Sequence, residues 1–286
     1  MEPPKPPFPR PNPELLLWRN RMTLCIAAAC IGDDKAPHIV LCSDHKIENW
    51  AAQAEIGFKY RWATVGWPAL IAGDLARAEE LTMTVRNILM SVKLSQTNVF
   101  DVLKGAGASF REKLADELVR KKLSVSYEYL RQNKGKFPSG TVYEVYTEIG
   151  QIDSEAELIT AGFLDGKPYL FVIERNCEVF YREHFAAIGS GAQIAEPSLF
   201  QRGQRNTASI ADTIYQVFEA KKLGEIADAV GEKTTMVVIS PQEDEEVVSI
   251  QYVTPSGFAF LEQKYKELGL KPVPTLKLPA GTIAGP

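Results

Sequence analysis

The sequence predicts an α+β fold: a four-layer αββα sandwich in which two antiparallel sheets are each covered by helices. Three observations predict it. Short β-type runs come in pairs separated by hairpin-length turns. Two long stretches with helical apolar spacing separate the first group of strands from the second, and two more separate the second from the last. Antiparallel hairpins with helices grouped between them bury their apolar faces best as stacked layers.

Taken in order, Thr23–Cys30 is small and β-branched and predicts a buried strand. Gly32-Asp33-Asp34-Lys35 signals a turn, and His38–Ser43 predicts a second strand, so the two form a hairpin that ends at Asp44. Phe58–Val65 and Ala69–Ala72 predict two further strands, broken at Gly66-Trp67-Pro68. From Asp74, a candidate N-cap, the apolar residues Leu75, Ala78, Leu81, Val85, Ile88, Leu89 and Val92 fall in steps of three and four, which places them on one helical face. A second helix is predicted from about Val99 to Lys122, with Leu103, Phe110, Leu114, Leu118 and Val119 turned inward. Lys134–Gly140 predicts an exposed loop within an insertion. Glu157–Phe163 and Tyr169–Glu174 predict strands joined through Asp165-Gly166, a strong hairpin signal. Val179–Ile188 predicts one more strand, ended by Gly189-Ser190-Gly191 and followed by a short helix. Thr207–Lys222 has helical spacing at Ile210, Ile214 and Val217; Thr235–Ser240 and Val247–Val253 predict late strands, and Phe258–Leu268 a last helix.

Seven of the first thirteen residues are proline, which favours extended chain over packing, so 1–22 predicts an unfolded lead. The Pro- and Gly-rich stretch 271–286 predicts a flexible tail. Between them, 23–270 predicts one large domain with an insertion near 123–151, and a hydrophobic content of 45% is ample for its core. With a net charge of −4 and scattered basic residues, no nucleic-acid surface is expected. No apolar run approaches the ~20 residues that span a membrane, and Leu15-Leu16-Leu17-Trp18 is too short for a signal-peptide core, so the expectation is a cytoplasmic protein. Cys25, Cys30, Cys42 and Cys177 form no C-x-x-C pair, and His38, His45 and His184 show no ligand spacing; buried free thiols are expected rather than a zinc site.

The stretch Arg21-Met-Thr-Leu-Cys-Ile-Ala-Ala-Ala-Cys30 sets a threonine directly after an internal methionine. If the chain begins chemically at Thr23, that residue carries both a hydroxyl nucleophile and a free amine able to act as its base. An α-amino group titrates at roughly 7.7–8.0, so a useful fraction is neutral near physiological pH. Cys25, as an alternative nucleophile, lacks a histidine partner nearby in the pattern.

A threonine heading the first strand in this order of elements resembles the N-terminal-nucleophile (Ntn) hydrolases. More closely it is similar to the proteasome β-subunit family, to the peptidase subunit of the bacterial two-component ATP-dependent protease, and to uncharacterised bacterial proteasome-like proteins that open with Met-Thr-x-Cys-Ile-Ala-Ala. The resemblance runs over about Thr23–Val253. In the family an aspartate ends the second strand in a small-small-Asp context, here Cys42-Ser43-Asp44. A lysine follows about sixteen residues later, here Lys59, fifteen on. Fourteen residues after the lysine a glycine opens the first helix, here Gly73, and a Gly-Ser-Gly heads a helix in the second half, here Gly189-Ser190-Gly191.

The resemblance implies a role for each. Thr23 would attack a carbonyl and form an ester intermediate. Lys59, held as a cation by Asp44, would favour loss of the hydroxyl proton. The Gly73 N–H would donate to the developing oxyanion, a contribution of roughly 3–4 kcal/mol. Ser190 would hydrogen-bond near the terminal amine and help relay the proton. Asp228 matches a family aspartate, but the serine expected three residues on is absent from Ala229-Val-Gly-Glu-Lys-Thr234, and Glu232 or Lys233 would stand near the amine instead.

Three cases cover residues 1–22. Translation starts at Met22 and methionine removal exposes Thr23; or the lead is a propeptide, although Met22 departs from the glycine that self-cleaving propeptides of the family present; or the lead stays and the protein is silent. The expectation is a threonine peptidase cleaving peptide amide bonds in peptides or unfolded proteins. It would act as a homo-oligomer, for which a ring is one arrangement, without metal or organic cofactor, and no ATPase partner can be named from the residues. A non-catalytic proteasome-like assembly subunit and a small-molecule amidase on the same fold are the alternatives.

Overall fold

The computed structural model describes residues 23–48, 53–55, 59–227, 230–242 and 247–269; the lead 1–22, the tail 271–286 and Asp228 lie outside them. The described chain divides into two compact units, one through Val253 and one from Thr254.

The first unit is α+β, with two antiparallel five-stranded sheets. The strands of sheet I are β1 (Cys25–Ile31), β2 (Pro37–Asp44), β10 (Phe185–Ile188), β11 (Thr234–Pro241) and β12 (Val248–Tyr252), in the order β10-β1-β2-β11-β12. Those of sheet II are β5 (Tyr60–Thr64), β6 (Trp67–Gly73), β7 (Ala156–Leu164), β8 (Lys167–Ile173) and β9 (Val179–Arg182), in that order. A small hairpin, β3 (Lys46–Glu48) with β4 (Gln53–Glu55), was not predicted.

Strand alternation explains how the sheets meet. On β1, Cys25, Ala27 and Ala29 face a core shared with Leu70, Ala72, Ile159, Ala161, Leu170 and Val172 of sheet II. The other face of sheet II meets α1 (Leu75–Ser91) and α2 (Val99–Leu123), where Leu81, Val85, Leu103 and Phe110 pack on Ile71, Leu158, Phe171 and Ile173. On sheet I, α5 (Ala192–Gln201) contacts β10 and α6 (Ile210–Gly224) contacts β1 and β2. The packing order is compatible with the predicted sandwich. Small residues along β1 (Ala27, Ala28, Ala29) suit a strand buried on both faces.

Local signals account for most boundaries. Asp74 caps α1 by accepting from the Arg77 N–H. Asp165 and Gly166 both have positive φ (48° and 69°), as the tight turn between β7 and β8 demands. Leu75 and Val92, expected inward on α1, are exposed, because they fall at its two ends.

Three expectations need correction. Val179–Ile188 is not one strand: β9 pairs with β8 in sheet II and β10 pairs with β1 in sheet I, so the chain turns between them to change sheets. The break between β5 and β6 falls at Val65-Gly66, and Trp67 and Pro68 belong to β6; a register shift at Trp62/Thr64 accommodates the join. Lys134–Gly140 is exposed as expected, but only partly a loop: Lys134–Lys136 forms a 3₁₀ turn and Ser139 begins α4 (Ser139–Gly150). With α3 (Tyr127–Gln132) and the end of α2, α4 encloses a separate small core of Val119, Leu130 and Val145.

The second unit contains α7 (Pro255–Leu268), capped by Thr254, whose hydroxyl accepts from the Gly257 N–H, with Pro255 in its first turn. Among the described residues, no helix is long and apolar enough to cross a membrane.

Candidate functional site

The register of the β1–β2 hairpin builds the first half of the site. Cys25 stands opposite Ser43. One step further the Asp44 N–H donates to the Leu24 carbonyl (3.1 Å), and the Leu24 N–H returns to Asp44 Oδ1 (2.8 Å). Thr23, two residues before β1, therefore lies beside the Asp44 carboxylate, and its Oγ1 donates to Oδ1 at 2.7 Å.

Lys59 arrives from sheet II, at the head of β5. Its carbonyl accepts from the Ile71 N–H (3.0 Å), and its Nζ donates to Asp44 Oδ1 (2.6 Å) and to Thr23 Oγ1. Thr23, Asp44 and Lys59 are 2%, 0% and 6% exposed. A lysine and an aspartate this deeply buried persist only when paired and hydrogen-bonded. Asp44 meets that condition fully: Oδ1 accepts from Thr23 Oγ1, Leu24 N and Lys59 Nζ, and Oδ2 from Lys46 N (3.1 Å) and Gly231 N (2.9 Å). The outcome is a hydroxyl that donates to a carboxylate and accepts from an ammonium, a setting suited to releasing its proton as its oxygen attacks.

The turn after β10 closes on the Thr23 carbonyl. Ser190 Oγ and the Gly191 N–H both donate to that oxygen at 3.3 Å. Gly189 has φ +88°, and a Cβ there would lie 2.3 Å from the Thr23 carbonyl oxygen, so only glycine fits. Its N–H donates to Glu157 Oε2 (3.0 Å), a contact the sequence did not suggest. Ser190 thus bonds to the carbonyl of Thr23.

Gly73 ends β6 with φ +92°, and a Cβ there would lie 2.1 Å from the Glu155 carbonyl oxygen. Ile71, two residues earlier, accepts from Cys25 Sγ at 3.4 Å while its N–H bonds to Lys59. These two bonds bring the end of β6 to the end of the unit where Thr23 and Lys59 meet. Gly73 itself is exposed.

Asp228 lies outside the described residues. The side chains of Glu232 and Lys233 are exposed; the part of their turn that reaches the site is the Gly231 N–H on Asp44. A backbone donor leaves no mark in a sequence beyond the glycine itself. Among the described residues, no group of His, Cys, Asp and Glu is arranged to hold a metal ion.

The four cysteines are free and buried, as expected. Burial pushes the Cys30 thiol from 9.0 to about 11 and the Cys42 thiol to about 12, and it drives Cys25 up as well. A neutral, enclosed thiol is a poor nucleophile, which discounts Cys25 beside Thr23. A disulfide-exchange reagent is expected to leave the native protein unmodified at pH 8 and to titrate four thiols in guanidinium; rapid reaction of the native protein would contradict this burial. The same shifts make stability pH-dependent. The unfolded thiols lose their protons first, so this contribution is complete below pH 9.0 and is lost as pH rises towards 11–12.

Comparison of the sequence with protein-family models and with curated proteins gave no match.

Proposed function

We propose that the protein is a threonine-type Ntn hydrolase of the proteasome β-subunit kind, cleaving amide bonds in peptides with Thr23 as the nucleophile once its amine is free. The observation that carries this is the buried cluster in which Thr23 Oγ1 bridges Lys59 Nζ and Asp44 Oδ1. The order of layers, two sheets with helices on their outer faces, supports the Ntn fold.

In the proposed reaction the free Thr23 amine takes the hydroxyl proton. Oγ1 attacks the substrate carbonyl, and the Lys59 ammonium stabilises the oxygen as the proton leaves. The Gly73 N–H, at the exposed end of β6, donates to the carbonyl oxygen as it becomes an oxyanion. The amine returns its proton to the leaving nitrogen, and water then hydrolyses the Thr23 ester. Asp44 holds Lys59 against the hydroxyl throughout. Ser190 and Gly191 fix the Thr23 carbonyl and with it the direction of the amine, and the resemblance assigns Asp228 to support of that amine. A cytoplasmic homo-oligomer acting on peptides or unfolded protein fits this chemistry.

One observation favours a second assignment. Thr23 is only 2% exposed, as befits a non-catalytic assembly subunit in which its hydroxyl is never presented. Intact mass of the natively expressed protein separates the two. Hydrolase function requires a dominant species beginning at Thr23 that a β-lactone acylates once per chain. A dominant species retaining 1–22 and inert to the β-lactone would sink it.

A further inference from the structure

Lys221 is a fully buried cation that the proposed reaction does not use. It lies in the last turn of α6, four residues after Val217 and on the same face, and its exposure is 0%. A lysine so enclosed needs partners, and the identity of those partners is informative. Its Nζ donates to Glu225 Oε1, one turn on, and to the carbonyl oxygen of Glu232 at 2.6 Å. Glu232 follows Gly231, whose N–H donates to Asp44 Oδ2 at 2.9 Å. Asp44 in turn holds Lys59 and Thr23 through its other oxygen.

The same end of α6 touches the site from a second direction. Gly224 lies so close to Leu24, the residue after Thr23, that a Cβ at Gly224 would come within 2.4 Å of Leu24 Cδ2. The last turn of α6 therefore bears on both sides of the Thr23–Asp44 contact, through Leu24 on one and through the Gly231–Glu232 turn on the other.

We propose that Lys221 is a positioning residue for the Thr23 site: by clamping the Glu232 carbonyl it aims the Gly231 N–H at Asp44, and so fixes the carboxylate that holds Lys59 against the nucleophile. This deepens, and rests on, the assignment of Thr23 as nucleophile. A cation suits the task because one ammonium can bind a carboxylate at the cap of its own helix and a carbonyl on the neighbouring turn together. Methionine fills similar space and can bind neither.

The test is the rate of acylation of Thr23 by a β-lactone, measured over a range of concentrations on the full protein in the form that begins at Thr23. For Lys221→Met the maximal acylation rate is expected to fall about 10- to 100-fold, the scale of a small misplacement of reacting groups, with the half-saturating concentration unchanged. Lys221→Arg, which keeps the charge, should recover most of the rate. Arg202→Met serves as the structural control. It breaks a half-exposed ion pair between Arg202, which follows α5, and Glu219 of α6 (2.5 and 2.6 Å), and should leave the rate alone. Should Lys221→Met fail to fold, Glu225→Gln loosens the clamp from its other end and is expected to slow acylation in the same way. Equal rates for Lys221→Met and the unaltered protein, or an equal loss in Arg202→Met, would overturn the positioning role while leaving Thr23 as nucleophile. Failure of the unaltered protein to be acylated at all would overturn the hydrolase assignment and this role with it.

Discussion

Thr23→Ala is expected to abolish acylation by a β-lactone and to lower peptide hydrolysis by about 10⁴-fold or more, the scale of losing a nucleophile from a catalytic group that acts as a unit. The fold should survive. The substitution deletes one hydroxyl, bound to Asp44 Oδ1 and to Lys59 Nζ, and each net hydrogen bond contributes only about 1 kcal/mol. Asp44 keeps its bonds from Leu24 N, Lys46 N, Gly231 N and Lys59 Nζ. Thr23→Ser, which retains the hydroxyl, should keep measurable activity. A cooperative urea transition with only a modestly lowered midpoint for Thr23→Ala, together with lost turnover, is the expected pair of results. Turnover that persists in Thr23→Ala would place the chemistry elsewhere.

Asp44→Ala should act on stability as strongly as Thr23→Ala acts on rate. The carboxylate is fully buried and accepts from five donors drawn from four segments of chain: Thr23 and Leu24, Lys46, Lys59, and Gly231. Its removal leaves the Lys59 ammonium, 6% exposed, without its counter-charge. Breaking a buried ion pair from one side costs about 3–5 kcal/mol, against a total stability of about 5–15 kcal/mol for an ordinary domain. Equilibrium urea unfolding measures this directly. Asp44→Asn keeps the shape and part of the acceptor capacity, so it should fall between the two. A loss below about 1 kcal/mol in Asp44→Ala would show that the donors find other partners and that Asp44 is not the organising residue.

How much of this was legible in the sequence differs from element to element. The β1–β2 hairpin, the Asp74 cap and the Asp165-Gly166 turn are governed by neighbours in the chain, and each sits where its residues indicate. Thr23, Asp44 and Lys59 were legible by residue type and order, and the structure brings their side chains together. The change of sheet between β9 and β10 was not. Its cause is a choice of partner strand far away, β8 for one and β1 for the other, and the β-forming residues on either side carry no sign of it. Pro138 and the glycines near it suggested a loop where a packed neighbour, the end of α2, supports helix α4 instead. Gly231 was invisible because its contribution is a peptide N–H. Lys221 was readable in principle: a lysine on the apolar stripe of Ile210, Ile214 and Val217 announces a buried charge in need of partners.

Sheet II is wound from one continuous stretch, Tyr60 to Arg182, whereas sheet I draws β1 and β2 from the start of the domain and β10, β11 and β12 from its end. The Asp44–Gly231 bond spans 187 positions of chain. Loop closure over such a distance is slow compared with local pairing, so sheet II can assemble on its own while sheet I must wait for the last third of the polypeptide. During synthesis Thr23 emerges first, yet the surroundings of its hydroxyl are completed only when β11 docks on β2. A partly made or misfolded chain then carries the threonine without the completed carboxylate arrangement around it; under the proposed function, the late strand would be a built-in checkpoint between finishing the fold and acquiring reactivity.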